Sequence, residues 1–339
     1  MGRTSVRVSA VVLAVTGALA GCTTGTGGGG DRPGGPSRQD DAVAAAGTPV
    51  DRGRELTGAE RVLVERAEQM LVKECMAAEG FRYWVGPLPA ADDLEGGGYV
   101  LTDAGWAKRH GYGSRLRERA QEAQRTDRNH AYVNGLTGGE RARYGTVLEG
   151  TPAGGTVTAP LPGGGTVRTP RESCLAEAGR QLYGDFETWF RAEKTAMNLT
   201  PLYVPALVAD ERFVRAVQDW SACMRKKGHD YASPAEIREE RAASAAGAAE
   251  EKTGAAEREP GGAEREPGAA EAETYAAEVE LAVAEATCAG ATPLAATARA
   301  LQTEYRDEKL QPYAEDIAAY RRMSLAALAR AEKITGSTA

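Results

Sequence analysis

The sequence predicts a mainly α-helical, bundle-like domain stapled by two disulfide bonds. Alanine, glutamate and arginine are abundant, while aromatic residues make up only 6% of the chain, a balance that favours helices around a thin core. Helix-start signals recur along the sequence, and four cysteines follow the N-terminal region. One interval differs: β-branched residues flank a Pro-Gly-Gly-Gly turn within 151–170. It predicts either a small β-hairpin near 156–168 or a disordered loop.

The first 21 residues have the pattern of an export signal. Two arginines precede an uncharged, mostly apolar stretch at 8–20, which is too short to span a bilayer. The letters LAGC at 19–22 resemble the lipobox of bacterial lipoproteins. The resemblance implies that 1–21 is a lipoprotein signal peptide and that Cys22 is the lipidated first residue of the mature chain. The alternative is a secreted protein in which Cys22 has no special role.

The residues after this leader predict a lipid-anchored, flexible linker over 22–55. They are rich in Gly, Pro, Ser, Asp and Ala, a composition that cannot bury enough surface to fold. The sequence has no second apolar run of membrane-spanning length. We therefore expect the acyl chains on Cys22 to hold the protein at the extracytoplasmic face of the cell membrane, since two acyl chains anchor stably.

The charge of the chain excludes one class of partner. The formal net charge falls from −7 to −9 when the leader and its two arginines are removed. No basic tract stands out, so nucleic acid is not an expected partner. The expected partners are the membrane, through the lipid, and an envelope protein or small ligand.

The predicted domain covers 56–339 and has two halves, 56–200 and 201–339, because one short motif occurs in each. Within the second half, about 243–271 lacks large apolar residues and repeats the letters AEREPG. We interpret this interval as a disordered insertion.

Helix-start signals place the elements of this domain in order. Thr57 and Thr137 open capping boxes. Thr169 and Ser233 each precede a proline at the first helical position. Further helical runs are predicted at Arg115–Gln124, Asp185–Met197, Ala206–Lys227 and from Glu273 onward, with breaks at Pro293 and Pro312.

The repeated motif is Cys-Met-x-x-x-Gly-x-x-Tyr, which begins at Cys75 and again at Cys223. Gly80 and Gly228 are predicted to be left-handed residues just past a helix end, where a Schellman motif closes the last turn. A rival interpretation is a Cu(I) site, because copper favours Cys and Met. Adjacent helical residues point about 100° apart, so they cannot easily share one ion. We therefore predict no metal at either copy.

The cysteines predict two disulfide bonds. Once Cys22 is lipidated, four remain, and an even number in an exported chain indicates disulfides. Three pairings are open. If the two halves are structural equivalents, each motif cysteine pairs with the lone cysteine that follows it, Cys75 with Cys174 and Cys223 with Cys288.

Several patterns together resemble a family of uncharacterised actinobacterial lipoproteins. They are the lipobox, the linker, the two Cys-Met-x-x-x-Gly motifs, the letters GYG at 111–113 and the pattern L-T-x-x-E-x-x-x-Y at 136–144. The resemblance covers most of the mature chain outside the linker and 243–271. It implies the lipid anchor and the helical architecture, but no catalytic residue, since the family has no established activity.

The sequence contains no motif typical of catalysis. It has three histidines, but no G-x-S-x-G elbow, no H-E-x-x-H and no Walker A sequence. We therefore expect no catalytic residue and no cofactor.

Aromatic residues suggest where a ligand would bind. Five of them lie in the irregular stretch after the first motif, and loops carry binding residues more often than helix cores do. We predict a ligand groove there, with a small aromatic core under a long loop as the alternative. The five residues are Tyr83, Trp84, Tyr99, Trp106 and Tyr112.

These patterns favour a non-enzymatic envelope lipoprotein that presents a helical domain to a partner or small ligand. Two alternatives stay open. One is an extracytoplasmic hydrolase that acts on cell-wall material through two carboxylates of the aromatic region. The other is a sensory accessory subunit of a membrane protein.

Overall fold

Helices dominate the computed structural model, which describes residues 53–94, 98–255 and 267–337. The predicted signal peptide, Cys22 and nearly all of the predicted linker lie outside these residues. The helices are α1 (Gly58–Ala78), α2 (Ala104–His110), α3 (Ser114–Arg125), α4 (Arg128–Gly135), α5 (Gly138–Glu149), α6 (Cys174–Tyr183), α7 (Phe186–Ala196), α8 (Thr200–Ala209), α9 (Glu211–Lys226), α10 (Pro234–Ala255), α11 (Pro267–Ala291), α12 (Leu294–Lys309) and α13 (Ala314–Thr335). Within the described ranges, no helix combines the length and the apolar character that a membrane span requires.

The first core lies in a four-helix bundle formed by α1, α6, α7 and α13. The α1 residues Leu63, Val64, Ala67 and Leu71 form one apolar stripe at helical spacing. This stripe packs against residues of α6 and α13, and α7 joins the bundle through its contacts with α13. The predicted helical bundle is confirmed.

The second core gathers α8, α9, α11 and α12 around Trp220. This indole is completely buried, and its Nε1 donates a hydrogen bond to the Glu285 carbonyl at 3.2 Å. Leu207, Leu294 and Leu301 are equally inaccessible and belong to the same core.

Two segments cross between the sequence halves. Helix α13, from the second half, packs on α1, α6 and α7, while α2, from the first half, packs on α11. The contacts therefore do not follow a boundary at 200/201, and each core needs residues from both parts of the sequence.

The two predicted disulfides are confirmed. Cys75 bonds Cys174 across 99 residues, and Cys223 bonds Cys288 across 65 residues. Each bond ties the helix that ends in the repeated motif to a later helix, so each core has its own covalent closure.

The repeated motif ends its helix as predicted in both copies. Gly80 has φ +83° and Gly228 has φ +87°. The next residue, Phe81, donates its N–H to the Met76 carbonyl at 2.8 Å, and the equivalent bond from His229 is 3.0 Å long. Both copies are therefore Schellman motifs.

The interval after α5 forms a hairpin rather than a loop. Strands β1 (Thr156–Pro160) and β2 (Thr166–Pro170) are antiparallel. Val157 and Ala159 point into a small core with Phe190 of α7, so burial of one face of β1 stabilises this short sheet.

The structure corrects three helix predictions. The Thr169-Pro170 signal lies in β2, and α6 begins at Cys174 after a Ser173 cap, because strand pairing extends through the proline. The run predicted at 206–227 is two helices, since Asp210 caps α9 through its side chain.

The third correction concerns the interval 243–271. Helix α10 continues through Ala255 and α11 begins at Pro267, so much of this interval is helical rather than disordered. Alanine and glutamate have high intrinsic helix propensity, which composition-based prediction of disorder underweights. Residues 256–266 lie outside the described part of the chain.

Candidate functional site

The five aromatic residues of the predicted groove have two different sets of neighbours. Tyr83 and Trp84 pack beside α4 and α5, where the Trp84 ring meets the Tyr132 ring edge-on at 5.6 Å. Tyr99, Trp106 and Tyr112 instead pack against helices of the second core. The structure therefore divides the five residues into one group of two and one group of three.

Trp84 is held in place from both sides of its backbone. The Asn129 side chain accepts from the Trp84 N–H at 2.9 Å and donates to the Trp84 carbonyl at 2.9 Å. The Arg128 guanidinium lies over the indole, 4.9 Å from its centroid. The exposed side of this ring is thus already covered by a cation.

Trp106 is fixed by hydrogen bonds at the start of α2. Its Nε1 donates to the Asp92 carbonyl at 3.0 Å. The Asp92 carboxylate in turn bonds Arg109 at 2.8 Å and lies 2.9 Å from His110 Nε2. These two partners lower the Asp92 pKa to about 2. His110 therefore helps to hold Asp92, whose carbonyl anchors the Trp106 side chain.

Tyr112 belongs to a network of buried charges between α10 and α11. Its hydroxyl donates to Glu285 Oε2 at 2.7 Å, and its backbone N–H donates to Glu278 Oε1, also at 2.7 Å. Glu285 has no exposed surface, and Glu278 is only 6% exposed. Burial and the adjacent Glu285 carboxylate raise the Tyr112 pKa, so this hydroxyl stays protonated.

Arginines complete this network from the side of α10. Arg238 lies 3.2 Å from Glu285, and Arg241 lies 2.6 Å from Glu278. The Leu101 N–H also donates to Glu285 at 3.0 Å. Both carboxylates thus have cationic and N–H partners, as buried carboxylates require. We call Tyr112, Arg238, Arg241, Glu278 and Glu285 the paired network.

A second group of carboxylates lies in the four-helix bundle and has far fewer partners. Glu65 and Glu68 project from α1, and Glu193 projects from α7. Burial, followed by the neighbouring Glu65 and Glu193 charges, raises the Glu68 pKa to about 7, against a weak opposing effect from Lys194. Burial also raises the Glu65 pKa. We call these three glutamates the bundle cluster.

Tyrosines from three further segments surround the bundle cluster. Burial raises the Tyr83 pKa, with contributions from Asp127 and Glu68. Burial and Glu68 raise that of Tyr183 on α6, and burial and Glu193 raise that of Tyr320 on α13. Of the predicted groove residues, Tyr83 is the one that faces this cluster.

Unpaired polar atoms lie on the same helices as the bundle cluster. Arg61 Nε, one turn before Glu65, and Trp189 Nε1, one turn before Glu193, are buried without a hydrogen-bond partner. The Lys194 ammonium is 2.7 Å from Glu193 Oε2, although this contact lacks hydrogen-bond geometry. Polar satisfaction is therefore poorer here than in the paired network.

A surface pocket of about 380 Å³ opens at the start of α7, and no member of either carboxylate group lines it. Its arginines already have partners: Arg171 pairs with Glu187, and Arg180 pairs with Glu177 at 2.8 Å. Neither arginine is therefore left free to select an anionic ligand. Its lining residues are Arg171, Glu172, Arg180, Gly184, Asp185, Phe186 and Glu187.

Neither carboxylate group has the composition of a metal centre. Across 53–94, 98–255 and 267–337, the structure places no three His, Cys, Asp or Glu side chains so that they could hold one ion. The bundle cluster could bind a cationic group or exchange a proton, because burial raises the pKa of Glu68 to about 7.

The sequence patterns did not predict these glutamates. Glu278 and Glu285 are seven residues apart on a helix, and the residues between them are alanine, valine and leucine apart from Glu280. This spacing places two acids on one mostly apolar face, which could have indicated them. Glu68 and Glu193 come together only through the tertiary packing of the four-helix bundle. No spacing rule connects them.

Comparisons with protein-family models, with curated protein sequences and with solved structures give no match to this chain.

Proposed function

We propose that the protein is a lipid-anchored lipoprotein at the extracytoplasmic face of the cell membrane, and that its helical domain binds a partner or small ligand without catalysing a reaction. The observation that carries the proposal is the use of the cysteines. Four of the five form two disulfides, which are typical of oxidising compartments outside the cytoplasm. The fifth, Cys22, directly follows the leader.

The lipoprotein part of the proposal is tested at Cys22. Cys22→Ala should leave uncleaved precursor or protein shed from the membrane, while Thr23→Ala, a change just outside the lipobox pattern, should anchor normally. Membrane fractionation and the mass of the N-terminal peptide measure both outcomes. Normal anchoring of the Cys22→Ala protein would contradict the proposal.

The binding part of the proposal is supported by the bundle cluster. Its carboxylates are near one another, are flanked by Tyr83, Tyr183 and Tyr320, and have one lysine in contact. Carboxylates beside aromatic rings are the groups that recognise an organic cation. Thermal shifts with a panel of envelope metabolites, including amines, test this part. If no metabolite of the panel shifts the melting temperature, the result would argue against a small ligand and favour a protein partner.

The hydrolase alternative is favoured by one observation. Glu68, with a pKa near 7, lies close to Glu65, and two carboxylates with separated pKa values can serve as acid and base. Turnover of wall-derived substrates that is lost in Glu68→Gln would support this alternative. Binding that survives without any turnover would support the non-enzymatic function.

A further inference from the structure

Helix α8 is apolar on the side that faces solvent as well as on the side that faces the second core. None of its ten residues is charged. Tyr203 and Leu207 are buried in the core, whereas Pro201, Pro205 and Val208 are exposed. These three residues are spaced about one helical turn apart, so they share one face of the helix. A helix that is apolar on all sides is normally covered on all sides.

The exposed apolar surface continues into the first turn of α9. Val208 is 38% exposed and Val214 is 43% exposed. They are two of the four large apolar residues exposed to this degree within the described ranges, and they flank the turn at Asp210 between α8 and α9. We call Pro201, Pro205, Val208 and Val214 the apolar face. Exposed apolar residues that are concentrated in one region mark a contact with a membrane or a protein.

The charged residues next to the apolar face are paired with one another. Arg212 lies 2.8 Å from Asp210 and 2.9 Å from Glu304 of α12. Arg215 lies 3.3 Å from Glu211. These ion pairs leave little net charge to attract a charged partner or to repel lipid headgroups. The surface therefore suits an apolar environment such as the boundary between the headgroups and the acyl chains of a bilayer.

The apolar face lies near the point at which the predicted linker joins the domain. On α12, the Tyr305 hydroxyl donates a hydrogen bond to Asp210 at 3.2 Å. The next residue, Arg306, lies 4.0 Å from Glu55, two residues after Gly53, where the described chain begins. The turn that ends α8 and the first residues after the linker therefore contact the same turn of α12.

We propose that the apolar face docks on the membrane that holds the lipid anchor, so that the domain has a second contact with the bilayer. This contact presupposes the lipid on Cys22 proposed above. Thirty residues lie between Cys22 and Gly53, and a flexible chain of this length reaches roughly 30 Å. The linker therefore keeps the apolar face at a high effective concentration beside the bilayer, where a contact too weak to hold a free protein is occupied.

Quenching of tryptophan emission by brominated lipid tests this contact in the full lipidated protein. Val208→Trp adds an indole to the apolar face. Leu175→Trp is the matched control, because Leu175 is 40% exposed and follows Cys174, which bonds Cys75 at the opposite end of α1 from Gly53. Both proteins are reconstituted in phosphatidylcholine vesicles, with or without bromine on the acyl chains. The emission that Val208→Trp adds to that of the native protein should be quenched, and the emission that Leu175→Trp adds should not. Equal quenching in the two variants, or none in Val208→Trp, would overturn the proposal.

A second substitution separates this contact from the lipid anchor. Val214→Asp, added to Val208→Trp, places an unpaired charge in the apolar face and should abolish the quenching. Val85→Asp, at an exposed apolar position outside the face, should leave the quenching unchanged when it is added to Val208→Trp. The mass of the N-terminal peptide reports the lipid in each protein. Lipid on this peptide together with unquenched emission from Val208→Trp would overturn the membrane contact alone, whereas a peptide without lipid would overturn both proposals.

Discussion

The two cores solve the problem of a buried carboxylate differently. In the second core, Glu278 and Glu285 each receive an arginine and at least one backbone N–H. In the first core, Glu68 is only partly buried, and no described residue gives it a hydrogen bond or an ion pair. Burial alone therefore does not decide what such a group does. With partners a carboxylate holds elements together, whereas burial without partners raises its pKa.

The two copies of the repeated motif show the opposite case, because the same residues form the same structure in both cores. Cysteine, methionine and glycine recur at the same spacing and form the same disulfide-tied helix end. The residue after glycine is free to vary: Phe81 is buried in the first core, while His229 is partly exposed. The repeat therefore has a structural role, and the residue after the glycine differs to suit each core.

Removal of one disulfide tests whether the cores are equally dependent on their covalent closure. Cys75→Ala with Cys174→Ala, and Cys223→Ala with Cys288→Ala, open loops of 99 and 65 residues. The chain-entropy argument gives upper estimates of about 4–5 kcal/mol for each pair. Urea unfolding followed by circular dichroism measures both losses. A loss below about 1 kcal/mol in one pair alone would show that this core is held by packing.

Glu285→Gln tests the paired network and should be strongly unfavourable. The change removes the charge opposite Arg238 and disturbs the bonds from Leu101 and Tyr112, at a cost of about 2–3 kcal/mol in the free energy of unfolding. Glu280→Gln, an exposed position on the same helix, is the control and should have little effect. Glu68→Gln, which replaces a carboxylate without such partners, should cost much less. Equal losses in the two glutamine variants would remove the contrast between the cores.

Two tyrosine hydroxyls, one with a hydrogen-bond partner and one without, test the same contrast with smaller expected effects on stability. Tyr112→Phe loses a bond to an ionised carboxylate and should cost about 1.5–2 kcal/mol. Tyr144 is 4% exposed, and its hydroxyl has no partner among the described residues. Tyr144→Phe should therefore be neutral or slightly stabilising. Thermal unfolding of the two variants measures both effects. A clear loss of stability in Tyr144→Phe would show that this hydroxyl has a partner.

The motif glycines should give the smallest and most equal effects. No neighbouring atom lies within 4 Å of where a Cβ would stand at Gly80 or Gly228. Alanine at either position therefore meets only the strain of the left-handed backbone, about 1 kcal/mol. Melting temperatures of Gly80→Ala and Gly228→Ala should fall by similar amounts. Clearly unequal shifts would mean that the two helix ends are not equivalent.

Local signals in the sequence predicted much of the architecture. Both capping boxes, both Schellman glycines and the hairpin are determined by nearby residues, and each is present in the structure. The disulfide pairing also followed, because it rests on the order of motifs along the chain. Where a local signal competed with tertiary pairing, as at Thr169-Pro170, the pairing prevailed.

The candidate site could not be predicted in the same way. Its groups come from α1, α6, α7, α13 and the segment at Tyr83, and their proximity depends on which helices pack together. The aromatic residues after the first motif all lie within 83–112, yet they contribute to both cores. Sequence proximity was therefore a poor guide to spatial proximity in this region.

The position of α13 has a consequence for the order in which the molecule is completed. A chain is made from its N-terminus at about 5–20 residues per second, so α1 exists long before α13 emerges. During that interval the apolar stripe on α1 lacks one of the helices that cover it. The first core, although it begins first, is the last to be finished. Contacts over so large a sequence separation also slow folding, and nascent chains therefore carry an uncovered apolar face until α13 has emerged.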